Sequence, residues 1–365
     1  INEYSCANIN GPTDNYGKRE DWFELYNAGG SSVNLAGYYL SDKAGNPAKW
    51  QIPSGTIAAG GFMIFWASGR DTVVGTNRHT NFKLTQTKPE KLIFSDNLGV
   101  IIDSLTLKPT LKNNSRGRTT NGAATWSVFT TITNGTGNNS PQQEYATKPF
   151  MSLAPGFYSG SQTVSITSPD ANITIRYTTD GSSPLSTSTA YTAPLTISVT
   201  TVLRAKAFSS VSTIPSSFVE SNTYFINATH TIPVFSVFGG SIMTLLNGDD
   251  TAIPETGLEY FDNTGLFKTE SYGTSNKHGN DSWSYDQRGI DFVTHDQYGY
   301  NYAVQEKLFD SNPRTEYQRI MLKASAGDNY PFETNGSSAQ WGNGAPLEGC
   351  CNIRDQYVHT LSQRG

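Results

Sequence analysis

Residues 173–184 read ITIRYTTDGSSP, and the rest of the chain can be read outward from this stretch. Ile173, Ile175 and Tyr177 alternate with Thr174, Arg176 and Thr178, a period of two that sends one set of side chains to a core and the other to solvent. At Asp180–Gly181 the alternation gives way to a tight reversal. An Asp side chain there bonds its own following backbone, and Gly takes a positive φ at no steric cost. The alternation recurs in residues 162–168 (QTVSITS) and 202–208 (VLRAKAF). With no helix between them, residues 149–229 are expected to form a small β-sandwich.

Strand signals continue toward the N-terminus. Residues 21–26 (DWFELY), 33–40 (VNLAGYYL), 62–67 (FMIFWA), 91–95 (KLIFS) and 100–105 (VIIDSL) are separated by the turn stretches NAGG (27–30), DKAGNP (42–47) and DNLG (96–99). Residues 1–130 therefore read as a first sandwich, in which Trp22 and Leu25 fill the core while Glu24 accepts backbone hydrogen bonds. In TITNGTGNNSPQQ (131–143) the periodicity disappears, which predicts a linker over 131–148. From residue 230 onward aromatic and polar residues mix, and 302–309 (YAVQEKLF) and 354–361 (RDQYVHTL) carry helix-compatible spacing. Residues 230–365 are thus expected to be α+β.

Composition narrows the function classes. The 365 residues hold 26 Lys+Arg against 31 Asp+Glu, a net charge of −5, which argues against a nucleic-acid surface. Charged residues are 16% of the chain, against about 25% in an average soluble protein. Ser and Thr together make about a fifth of the chain, an exported β-rich composition rather than that of a cytosolic helical enzyme. No stretch approaches the roughly 20 apolar residues of a membrane span; residues 56–68 (TIAAGGFMIFWAS) are short and broken at Gly60–Gly61. The opening INEYSCANIN lacks a signal peptide's charged and apolar regions, so an exported chain would here be in its mature form. Cys6, Cys350 and Cys351 fit no zinc spacing; the adjacent pair reads either as a vicinal disulfide or as two loop thiols. Five histidines form no HxH or HExxH, and no GxSxG is present. A metal cluster of Glu3, Glu20, Asp21 and Glu24 is the alternative to a structural role for those acids.

Three resemblances follow the same division. Ile1–Asn2–Glu3, Asp21–Trp22, Glu24–Leu25–Tyr26–Asn27, Leu35, Gly37–Leu40, Ser41–Asp42, Gly60–Gly61, Asn81–Phe82–Lys83–Leu84 and Asp103, with Ser115–Arg118 and Trp126, resemble the lamin-tail domain, an immunoglobulin-like sandwich. Pro155–Tyr158, Ile175–Ser182, Pro184, Tyr191 and Ala205–Phe208 resemble the Ig-like domain at the C-terminus of chitobiases and hexosaminidases. That likeness implies a spacer, or a lectin-like module with Tyr177 and Tyr191 as stacking platforms. Ile232–Val237, Gly257–Phe261, Gly279–Ser284, Arg288–Phe292, Arg319–Lys323 and Ile353–Leu361 resemble the N-terminal part of a CotH-type kinase domain.

The last resemblance implies that Lys323, with Arg354, contacts nucleotide phosphates. It also places the family's metal-binding and catalytic acids beyond Gly365, so residues 230–365 read as an incomplete kinase-like domain in a fragment of a longer protein. No activity is expected from this span; ATP and Mg²⁺ would be cofactors only of a complete domain. Asp328 and Asp355 read as partners or caps for the two cations. The expected fold is therefore mainly β: two Ig-like β-sandwiches in series, then an incomplete α+β kinase-like domain. Lamin-tail and CotH-like combinations resemble type IX secretion cargo. They imply a secreted or cell-surface protein of a Gram-negative bacterium, with surface machinery or an extracellular protein or glycan as partner. Its function would be binding or structural, the alternative being an ATP-dependent kinase for Ser/Thr-rich exported proteins when full length. Thr72, Ser104 and Thr251, each in an Asp–Ser/Thr–apolar triplet, are candidate O-glycosylation acceptors.

Overall fold

A computed structural model describes residues 1–279, 283, 288–309 and 312–323. The protein is mainly β. In the first unit a seven-stranded sheet runs in the order Trp126–Phe129, Ser115–Arg118, Glu3–Ser5, Trp22–Tyr26, Phe62–Trp66, Asn77–His79, Thr72–Val74. Opposite it lie Ile101–Thr106, Lys91–Ser95, Tyr39–Ser41 and Trp50–Gln51. The core between the sheets gathers Tyr4, Phe23, Leu25, Leu40, Trp50 and Phe65. Phe23 stacks on its cross-strand partner Phe65 with ring centroids 5.4 Å apart. Burying each such ring contributes roughly 1.5–3 kcal/mol.

Strand parity corrects one sequence expectation. Phe23 and Leu25, two residues apart, share the core face, so Trp22 and Glu24 must point to the other side of the sheet. Trp22 is buried there, outside the main core cluster. Glu24 is beside it and does accept a backbone hydrogen bond, from the Gly135 N–H at 2.8 Å.

That second face is closed by residues from the stretch read as a linker. Glu3 and Glu24 are paired across adjacent strands. Thr133 donates to Glu3 through its backbone N–H at 3.1 Å and its Oγ1 at 2.6 Å. Asn138 Nδ2 donates to the Arg118 carbonyl at 2.6 Å, and its Oδ1 accepts from Asn2 Nδ2 at 3.0 Å. Further along, the Gln143 and Ala146 N–H groups donate to the Thr213 and Pro215 carbonyls of the next unit, at 2.8 and 2.9 Å. Residues 133–146 are therefore strapped down at both ends. Asn, Thr and Gly lack a strand's periodicity, but they supply the donors that two buried carboxylates need.

The second unit is a sandwich whose main sheet orders Gly156–Tyr158, Glu220–Ile226, Thr201–Ser209, Ile173–Thr178 and Thr189–Ala190. Met151, Val164, Ile166, Ile197, Leu203 and Tyr224 fill its core. The turn is built as its residues dictate: Asp180 Oδ1 accepts from the Ser182 N–H at 3.0 Å, and Gly181 has φ +79°.

In the third unit, Val234–Phe238, Glu255–Phe261, Phe267–His278, Gly289–Thr294 and Arg319–Leu322 form one antiparallel sheet. The one α-helix among the described residues is Ile242–Leu246. The helix expected over 302–309 does not form. Val304–Gln305 instead pairs with Glu316–Tyr317, with Ala303 and Val304 buried. An eight-residue segment recovers little of the cost of nucleating a helix, and the extended pairing buries Ala303 and Val304 while Phe309 stays exposed. The segment 354–361 lies outside the described residues.

Candidate functional site

The three units meet around a cavity of about 430 Å³. Its charged walls come from all of them. Lys112 follows the strand Ile101–Thr106 of the first unit, Arg204 and Lys206 stand on Thr201–Ser209 of the second, and Glu255 opens Glu255–Phe261 of the third. Tyr272, Tyr298 and Tyr300 of the third unit complete the lining. Strand parity explains the cations. Leu203, Ala205 and Ala207 are fully buried on the sandwich side, so Arg204 and Lys206 project from the opposite face. In an isolated sandwich that face would be in water; here the third unit covers it.

Arg204 is only 8% exposed. Its Nε donates to Ser221 Oγ at 2.9 Å and its Nη1 to the Gly181 carbonyl at 3.1 Å. The guanidinium lies 5.4 Å from the Phe238 ring centroid and 5.7 Å from that of Tyr272, within cation–π range. Lys206 Nζ is 5.4 Å from the Phe208 ring. Burial lowers the Lys206 amine pKa, and the Lys112 and Arg204 charges lower it further. Among the described residues neither Arg204 nor Lys206 forms an ion pair, whereas Lys112 Nζ bridges both Glu255 oxygens at 2.5 and 2.6 Å. Burial raises the pKa of the half-buried Glu270; Lys148 and, more weakly, Arg204 oppose that shift, neither as an ion pair among the described residues. Three cations against one carboxylate leave the cavity with a positive surplus.

The walls are held by buried contacts. Tyr300 OH donates to the Val219 carbonyl and accepts its N–H, both at 2.9 Å, and Tyr272 and Tyr300 stack at 3.8 Å. Thr223 N–H donates to Glu259 at 3.0 Å, and the Thr223 and Ser236 hydroxyls are 2.7 Å apart. Asp296 of the third unit accepts from Gln86 N–H at 2.6 Å and from Thr87 N–H at 3.1 Å in the first. A cavity walled in this way is preformed, so a ligand meets little ordering cost.

Residues 1–109 match the family model of the Lamin Tail Domain. Residues 153–220 match that of the Chitobiase/beta-hexosaminidase C-terminal domain. No curated protein and no solved structure matches the chain. The protein is modular, of the binding or structural kind. Both matches end before residue 230, so the likeness of the third unit to CotH-type kinases has no family match behind it. The lamin-tail sheet runs on past the matched stretch, since Ser115–Arg118 pairs with Glu3–Ser5 and then with Trp126–Phe129.

The residues singled out from sequence lie apart from this cavity. Lys323 follows the strand Arg319–Leu322 and lines a separate, mainly apolar hollow of about 440 Å³ with Phe235, Tyr260, Arg288 and Phe309. Arg354 lies outside the described residues, as do Asp328, Asp355, Cys350 and Cys351. In the chitobiase-type unit, Tyr177 and Tyr191 pack against the core, which suits sandwich residues better than stacking platforms. In the lamin-tail unit the four acids Glu3, Glu20, Asp21 and Glu24 do not form a metal cluster. Glu20 bridges Arg70 at 2.8 Å, and Glu3 and Glu24 are taken up by the strap; among the described residues no group of acids, His and Cys is placed to hold a metal. Ser104 and Thr251 are exposed, and Thr72 is half-buried in Thr72–Val74. No helix among the described residues is long and apolar enough to cross a membrane.

Sequence reading missed the cavity because its cations come from positions 112, 204 and 206 and its tyrosines from 272, 298 and 300. Only the packing of the units joins them. The one available signal was Arg and Lys two apart in a strand whose other face is apolar.

Proposed function

We propose that this chain is an exported or cell-surface binding protein, and that the junction cavity is its ligand site. The observation that carries the reading is the cavity itself: a preformed, partly aromatic pocket built from all three units, with polar groups converging on it. Supporting export are the low charge and the Ser/Thr-rich composition; type IX cargo and a Gram-negative surface location rest on the likeness of the lamin-tail and CotH-like combination. Residues 1–130, 149–229 and 230–365 then act as three parts of one scaffold, the strap between the first two being part of the lamin-tail unit's packing. Lys323 and Arg354 as phosphate contacts, and ATP with Mg²⁺ as cofactors, belong to a longer kinase-like domain on this reading. Ser104 and Thr251, being exposed, are the better glycan acceptors of the three candidates; a mass excess on native protein mapped to either site checks this.

The test of the binding reading is a thermal-shift screen of the chain against saccharides and short peptides. The same screen is run on Ser183→Trp, which places a large side chain at the exposed rim of the cavity. A ligand that stabilises the parent and not the variant supports the site. Ligands that act equally on both, or none at all, count against it.

A further inference from the structure

The chemistry of the cavity narrows the ligand, given the binding reading above. Its volume, about 430 Å³, falls within the roughly 300–1,000 Å³ of small-molecule sites. Arg204 and Lys206 stand two residues apart on one strand face, and neither forms an ion pair among the described residues. Arg204 has two of its nitrogens engaged by neutral oxygens, of Ser221 and Gly181. Those bonds orient the guanidinium but do not neutralise it. The Asp180 and Glu270 carboxylates feel the Arg204 charge, but neither forms an ion pair with it among the described residues. A buried cation without a direct counter-ion is costly, and an anionic group on a ligand would offset that cost through charge-assisted hydrogen bonds.

The third unit's part of the wall is aromatic: Tyr298 and Tyr300 line the cavity half-buried, with Tyr272 stacked on Tyr300. Tyr300 has its hydroxyl committed to Val219 and one face to Tyr272, and Lys112 Nζ lies 5.2 Å from the Tyr298 ring; the remaining ring surface is flat and apolar, which suits the C–H face of a pyranose. The one carboxylate in the lining, Glu255, is held by Lys112 at the first unit's edge of the cavity. It sets a repulsive limit to where an anion can sit.

We propose that the junction cavity binds an acidic saccharide, its carboxylate or sulfate held by Arg204 and Lys206 and a sugar ring lying against Tyr298 and Tyr300. Glu255, held by Lys112 at the rim, repels an anionic group placed there.

Isothermal titration of the whole chain tests this, with digalacturonate as the acidic probe, maltose as a neutral disaccharide, and sodium sulfate and ATP as anions without that shape. Digalacturonate should bind and maltose should not. Binding should weaken as salt rises and fall about tenfold or more in Lys206→Gln, with Lys206→Arg restoring most of it. Glu255→Gln should tighten binding, because it removes the lining's only carboxylate. A residue with a purely structural role would weaken binding in every variant, so the opposed signs of Lys206→Gln and Glu255→Gln carry the test. Far-ultraviolet circular dichroism and melting curves confirm that each variant folds. If maltose binds as well as digalacturonate, the cavity binds ligands but not by charge, and only this inference falls. Equal binding of sulfate or a preference for ATP overturns the saccharide assignment. No binding of any probe overturns the proposal.

Discussion

Glu259 offers the most exacting test of how the second and third units are joined. It sits in the strand Glu255–Phe261 and is fully buried. One carboxylate oxygen accepts the Thr223 N–H at 3.0 Å; the other, Oε1, has no partner. Burial, aided by the nearby Glu270 and Glu220 carboxylates, raises its pKa from 4.5 to about 8. The folded state therefore holds the proton more tightly than the unfolded one. Stability contributed by the neutral acid is greatest below about pH 4.5, falls as pH rises toward 8, and levels off above it. At about 1.4 kcal/mol per pH unit, the loss across that interval reaches at most about 5 kcal/mol. Glu259→Gln removes this titration. The glutamine keeps an acceptor for the Thr223 N–H but puts an NH₂ group where Oε1 has no partner, a cost of about 1–3 kcal/mol at every pH. Urea unfolding followed by tryptophan fluorescence should find the variant less stable than the parent at pH 5 and more stable at pH 9. Glu3 and Glu24, raised as well but not through Glu259, are common to both chains and drop out of the difference. Parallel stability curves from pH 5 to pH 9 would refute the reasoning.

Three further outcomes follow from single contacts. Asn138→Ala removes the donor to the Arg118 carbonyl and the acceptor for Asn2; it should cost about 1–3 kcal/mol and expose residues 133–140 to thermolysin before any other site, which peptide mapping would show. Gly273→Ala should destabilise strongly, since a Cβ there would lie 1.8 Å from the Val293 carbonyl oxygen; a melting point within a degree or two of the parent would contradict the close strand approach. Asp296→Ala leaves the Gln86 and Thr87 N–H groups without their acceptor, and hydrogen exchange at those two amides should rise relative to the rest of the lamin-tail unit.

What the sequence disclosed depended on how each buried face is composed. Where it is apolar, as at Leu203 and Ala205, alternation located the strand; in 21–26 every position from Trp22 to Leu25 is buried, so the strand was legible but its core face was not. The longest strand among the described residues, Phe267–His278, went unread because its buried positions include Thr269, Ser271, Gly273 and Ser275. These small residues pack closely, Ser271 bonding across to Thr294, without leaving a hydrophobic period. In 302–309 only Ala303 and Val304 are buried, at a two-residue strand, so the apolar spacing there marked neither a helix nor one buried face. The strap was read as a linker because side-chain hydrogen bonds to Glu3 and Glu24, not apolar burial, hold it. The cavity lay beyond sequence reading altogether, since its parts adjoin only in the assembled chain.

The central claim is that the three units pack together and so build the cavity. Carbodiimide cross-linking tests it most directly, because it joins amines and carboxylates already in contact. Lys112 of the first unit and Glu255 of the third are 2.5 Å apart. Lys277 and Asp250, at 2.8 Å within the third unit, serve as the internal reference. Peptide mass spectrometry should recover a Lys112–Glu255 amide at a yield comparable to Lys277–Asp250, and at unchanged yield on dilution. Recovery of Lys277–Asp250 without Lys112–Glu255 would mean that the first and third units do not meet as described, and the cavity would go with them.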